Sequence, residues 1–126
     1  MFNRNSSPKQ MAAVNDTMWV VRYRIKPDKR EQFEKFNFNY LSVAANKIDP
    51  RLKNSVRFLR PANQNDDGSY TYIHLMDPVF DPNAYDIEPV LTQAYGKEKA
   101  SEYYKMFNDC LQDKELEVDG VIQSEW

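Results

Sequence analysis

Cysteine, histidine and glycine are scarce here: one, one and three among 126 residues. A solitary Cys110 forms no intrachain disulfide and builds no thiolate metal cluster, which fits a reducing compartment. Its place between Phe107 and Leu111 in a helical pattern marks it as a small buried hydrophobe. No Gly-rich phosphate loop, Ser-His-Asp order, CxxC pair or pair of catalytic carboxylates stands out. A single histidine with no acidic partner at ligand spacing makes no zinc site, so neither a metal nor a cofactor is expected. No apolar run approaches the ~20 residues that span a bilayer. Residues 1–16 also lack the apolar core of a secretory signal, and the expectation is a soluble, cytoplasmic protein with no membrane partner. Net charge is -2, and the basic residues are scattered. Lys29-Arg30 and the lysines 97 and 99 are short clusters flanked by acids, so a nucleic-acid partner is not expected either.

The length is that of one domain able to bury a core without disulfides or metal. Residues 1–16, rich in Asn, Ser, Pro, Lys and Gln, read as a flexible tail, because so little apolar surface cannot offset the entropy of ordering. Order is expected over 17–126. The first strand starts at Thr17, with Trp19, Val21, Tyr23 and Ile25 on one face and Val20, Arg22, Arg24 and Lys26 on the other. Pro27 stops it. Asp28 followed by Glu31 predicts a capped helix start, and Phe33, Phe36, Tyr40, Val43, Ala44 and Ile48 form the stripe of a helix ending at Asp49-Pro50.

Residues 54–60 read as a second strand, and a polar loop through Gly68 joins them to a third, 69–76, as a long hairpin. In that third strand Tyr70, Tyr72, His74 and Met76 share one side, and Thr71, Ile73 and Leu75 the other. The aliphatic side is expected to face the helices. Residues 78–96 read as a long excursion in which Asp81 and Pro82 start a short helix, Pro89 breaks it, and Gly96 ends a further turn. A second full helix is expected over 97–114 and a last strand over 116–126.

The order β-α-β-β-α-β, with each helix apolar on one face, predicts an α+β ferredoxin-like domain: a four-stranded antiparallel sheet with helices on one face. The other sheet face is expected to hold Val20, Leu59, Tyr70, Tyr72 and Met76 beside Arg22, Arg24, Arg57 and His74. That much apolar surface calls for a cover, and a two-fold homodimer is the commonest one.

The run Trp-Val-Val-Arg-Tyr-Arg-Ile-Lys-Pro passing straight into Asp-Lys-Arg-Glu-Gln-Phe-Glu-Lys-Phe, with the element order and the long insertion before the second helix, resembles the dimeric α+β barrel superfamily. The antibiotic-biosynthesis-monooxygenase-like group is part of it. The resemblance covers about residues 17–126. It implies a homodimer of facing sheets, with a pocket in each subunit between sheet and helices. Members include cofactor-independent oxygenases acting on aromatic compounds and haem-degrading enzymes; the latter carry their histidine on a helix, whereas His74 lies in a strand.

His74 is the one side chain whose ordinary pKa, about 6.5, suits proton transfer near neutrality. It reads either as a catalytic base or as a hydrogen-bonded histidine in a polar interface. Arg22, Arg24 and Arg57 either hold a ligand oxygen or pair with Glu117 and Asp119. Tyr23, Tyr72 and Tyr85, with Tyr103 and Tyr104, either line a pocket for a flat aromatic or apolar ligand or form ordinary core and rim. Two functions follow: a small-ligand-binding homodimer with cofactor-independent oxygenase chemistry open to it, or a non-catalytic interaction module.

Overall fold

The structure, a computed structural model, describes residues 11–114 and 116–125. Strand β1 (Thr17–Ile25) is followed by a 3-10 turn (Pro27–Lys29) and helix α1 (Arg30–Lys35). A π-helical turn (Phe36–Leu41) carries α1 into α2 (Ser42–Ile48), and a short α3 (Pro50–Asn54) leads to β2 (Val56–Leu59). Then come β3 (Tyr70–Met76), α4 (Ile87–Tyr95), α5 (Lys97–Asn108) and β4 (Glu117–Ile122). The strands form one sheet in the order β2-β3-β1-β4, every neighbouring pair antiparallel. This is the expected α+β ferredoxin-like arrangement, with the two central strands being the first and third.

Cross-strand partners share a face, so the register fixes which residues look at the helices. Val21 pairs with His74, Tyr23 with Tyr72, and Ile25 with Tyr70. Val21, Tyr23, Tyr72, His74 and Met76 are buried under the helices, with Phe33, Phe36, Leu91, Ala100 and Phe107 against them. The orientation expected for the third strand is therefore reversed: its aromatic side faces inward, and Ile73 and Leu75 face out. Alternation separates two sets of residues but does not choose between them. Here the aromatic set goes in because the buried polar tips, those of Tyr72 and His74, find partners there. The Tyr72 hydroxyl donates to Glu34 Oε2 at 2.5 Å and accepts from Arg30 Nε at 3.1 Å, which removes the cost of burying it unpaired.

The π turn corrects a second expectation. Its i→i+5 bond, from Ser42 N–H to the Asn37 carbonyl, adds a residue to one turn and rotates everything after it. Phe33, Phe36 and Ala44 remain buried, while Val43, expected in the same stripe, is half exposed. Asp28 makes no capping bond, since Pro27 starts a 3-10 turn there. Asp49 does cap: its side chain accepts from Arg51 N–H and starts α3, which no helix stripe announced.

Pro89 does not break a helix. It is the third residue of α4, where no backbone N–H is required, and Gly96 at φ 85° closes that helix. The second long helix stops at Asn108 rather than at 114. Of the expected tail, residues 1–10 lie outside the described residues. The next six are tied down: Ala12 N–H donates to Asp77 Oδ1 at 2.6 Å, and Asn15 and Asp16 exchange backbone bonds with Gln123.

The outer sheet face carries Val20, Ile73, Leu75 and Leu59 among arginines held by acids. Phe33 lies on the inner side, in ring contact with Tyr23, Phe58, Tyr72 and Phe107. Phe33→Ala is expected to cost about 3–5 kcal/mol of unfolding free energy. Urea denaturation measures it, and a loss under about 1 kcal/mol would contradict this packing.

Candidate functional site

A cavity of about 610 Å³ opens between the β2–β3 half of the sheet and the helices above it. The sheet supplies Tyr23, Val56, Phe58, His74 and Met76; the π turn and α2 supply Asn37, Phe38, Leu41, Ser42 and Ala45. Leu52 and Lys53 of α3 and Tyr85, Ile87 and Val90 at the start of α4 complete the wall. Phe38 is half exposed and packs edge-on to Phe58, so it stands where the cavity meets solvent.

Three polar side chains of this wall form a chain. Tyr23 Oη lies 2.7 Å from His74 Nδ1, and His74 Nε2 lies 2.7 Å from Asn37 Oδ1. An amide oxygen only accepts, so Nε2 carries the imidazole hydrogen and Nδ1 accepts from the Tyr23 hydroxyl. His74 is thus neutral, and burial pushes its pKa down to about 4. Burial likewise pushes the Tyr23 hydroxyl far above its ordinary pKa, keeping it protonated. Both pairs join strand residues to each other or to the π turn. Asn37 reaches the imidazole from a helix turn that would otherwise present only apolar side chains.

The expected site residues divide between the two sides of the sheet. His74, Tyr23 and Tyr85 line the cavity from the inner side; Arg57 pairs with Leu75 and so starts from the outer face of the edge strand β2, yet its side chain also borders the cavity. Arg57 Nε is buried 3.2 Å from Asp77 Oδ2, close enough for an ion pair but not aligned for a hydrogen bond. Arg22 and Arg24 do not join them. They lie on the outer face, Arg22 paired with Asp119 and Arg24 with Asp67 and Asp113. The expected grouping of these arginines with His74 on one face fails because Val21, not Arg22, is opposite His74. Tyr72 is buried beneath Phe33 and Phe58, away from the cavity wall, with its hydroxyl engaged by Glu34. Tyr103 stacks on Tyr40, and Tyr104 packs on Phe107.

Asn37 escaped the sequence reading, although a signal was there. It follows Phe33 by four residues, which puts a polar side chain on the apolar stripe of a helix, and a buried polar group needs a partner. Tyr85 is held by its own network. Ser55 Oγ gives its hydrogen to the Leu52 carbonyl at 3.1 Å, so Tyr85 donates to Ser55 Oγ at 2.7 Å while accepting from Phe80 N–H at 3.2 Å. Its ring is therefore fixed in the cavity wall. Among the described residues no group of three or more His, Cys, Asp or Glu side chains is placed to hold a metal ion, and no helix is long and apolar enough to cross a membrane.

No protein-family model matches the chain, and no curated protein matches it by sequence. Among solved structures, a candidate antibiotic biosynthesis monooxygenase from Caulobacter crescentus is similar over 89% of this chain and 92% of its own. The two are 12% identical, with a TM-score of 0.48. The fold assignment rests on the strand order and register of the chain itself.

The buried neutral imidazole makes stability depend on pH. Above the unfolded pKa of about 6.5 both states hold His74 neutral. Below it the unfolded chain takes up a proton that the folded one, with its pKa near 4, refuses, so stability falls with acidification. Between pH 7 and pH 5 the loss is about 2 kcal/mol. Urea midpoints measure it; His74→Gln, with no proton to bind, is expected to flatten the slope over that window.

Proposed function

We propose that this chain is a homodimeric small-molecule-binding protein of the dimeric α+β barrel type, whose cavity takes a small, flat aromatic compound. The observation that carries this reading is the cavity itself. Its volume of about 610 Å³ falls within the ~300–1,000 Å³ of small-molecule sites, and a mostly apolar lining with a few convergent polar groups is their usual composition. The rings of Phe58 and Tyr85 favour a flat guest, and the Tyr23–His74–Asn37 chain gives it a polar point of contact.

A cofactor-independent oxygenase is the second reading, favoured by the neutral imidazole in that wall, with His74 as the catalytic base. An activated ring CH₂ would lose a proton to the Tyr23 oxygen as the tyrosine hydrogen passes to His74 Nδ1. The carbanion would add dioxygen, forming a C–O bond, and the imidazolium would return the proton through Tyr23 to the peroxide. Cleavage of the O–O bond, with loss of the second C–H hydrogen, gives a ketone and one water. Burial makes a lone imidazolium costly, so it would last only beside the substrate anion, which ties proton transfer to substrate.

The homodimer is supported by the outer face, where Val20, Ile73, Leu75 and Leu59 lie between paired arginines and no helix among the described residues covers them. A second copy would bury them.

Calorimetric titration with bicyclic aromatics is expected to show binding at micromolar concentration, lost in Ala45→Phe, which fills the cavity. Binding unchanged in that variant would place the ligand elsewhere. Oxygen uptake with a bound substrate, abolished by His74→Ala in a folded protein, is the outcome for the oxygenase; uptake retained excludes it. Sedimentation at low micromolar concentration is expected to give a dimer that Ile73→Lys dissociates, and a monomeric wild type would remove the dimer.

A further inference from the structure

Within the Tyr23–His74–Asn37 chain and at Tyr85, one donor is left unspent. The Tyr23 hydrogen goes to His74 Nδ1, the His74 Nε2 hydrogen to Asn37 Oδ1, and the Tyr85 hydrogen to Ser55 Oγ. Asn37 Nδ2 takes part in no hydrogen bond among the described residues, although Asn37 is only 4% exposed. Nor is it sealed among protein atoms, for Arg57 Nε is the buried side-chain atom left without a hydrogen bond there. Its remaining opening is the cavity that Asn37 lines.

In the structure Asn37 Oδ1 faces His74 Nε2, so the imidazole donates to the oxygen and the amide nitrogen is turned away from the ring. The Asn37 backbone carbonyl is held in turn by the i→i+5 bond from Ser42, so the π turn holds the amide in one position. A donor held rigid before its ligand arrives gives up little freedom on binding.

We propose that Asn37 reads the ligand, and that the cavity selects aromatic compounds carrying a carbonyl oxygen, which accepts a hydrogen bond from Asn37 Nδ2. This rests on the ligand-binding reading above and goes beyond it by naming the polar group recognised. A ring lacking the oxygen fills the same volume but leaves the buried amide hydrogens without a partner, the arrangement that gives sites their discrimination.

Titration of the wild type with 1-tetralone and with tetralin, the same skeleton without the oxygen, tests the proposal. The ketone is expected to bind at least about tenfold more tightly, and Asn37→Leu is expected to reduce that ratio about tenfold. A ratio unchanged in the folded variant overturns the assignment. Because the variant also strands His74 Nε2–H, a wild-type measurement stands beside it. The ¹⁵N side-chain amide signal of Asn37 is expected to shift on saturation with 1-tetralone and not with tetralin; equal shifts overturn the proposal. Binding of both compounds with no preference would sink Asn37 alone, whereas binding of neither would remove the ligand-binding reading and this proposal with it.

Discussion

Burying an imidazole in the middle of a sheet requires that both ring nitrogens be bonded, and much of this structure follows from meeting that requirement at His74. Nδ1 is answered from the neighbouring strand by Tyr23, and Nε2 from the helix layer by Asn37. The second answer needs an amide at helix-to-sheet distance from a face otherwise made of phenylalanine. The π turn supplies it, and the same extra residue brings Phe38 and Leu41 to the cavity and turns Val43 outward. One local irregularity thus joins the stability of the core to the shape of the site, as π bulges often do at functional positions.

The two faces of the sheet handle charge in opposite ways. Beneath the helices His74 and Tyr23 are neutral and bonded to neutral partners, with the Tyr72–Glu34–Arg30 group placed where the layer reaches solvent. On the outer face Arg22, Arg24 and Arg57 each have a carboxylate beside them. Half-exposed pairs of this kind each contribute little to stability. They let an apolar strip of Val20, Ile73 and Leu75 lie between charged side chains without bringing like charges together, a surface that suits a second copy better than open water.

Element order was legible from patterning. Alternation in β1 and β3, Pro27 as a stop, Gly68 and Gly96 as positive-φ positions, and two apolar helical stripes were enough for a ferredoxin-like arrangement. Pro89 was misread because a proline in the first turn of a helix and one that ends a helix look alike until the start of the helix is located. Within the site, the sequence singled out His74, Tyr23, Tyr85 and Arg57. Asn37 was marked only by its place in an apolar stripe, and Arg22 and Arg24 were grouped with the wrong side.

The sequence by itself determined which residues share a strand face, because a period of two is a property of the extended chain. It determined the order of strands and helices for the same local reason. Which face of β3 turned inward was decided only by tertiary structure, through the pairing of Val21 with His74 and the partners that Glu34, Tyr23 and Asn37 offer. The cavity belongs to that second level as well: it is the space left where a rotated helix, a short capped α3 and the start of α4 meet one half of a sheet, and no single segment encodes it.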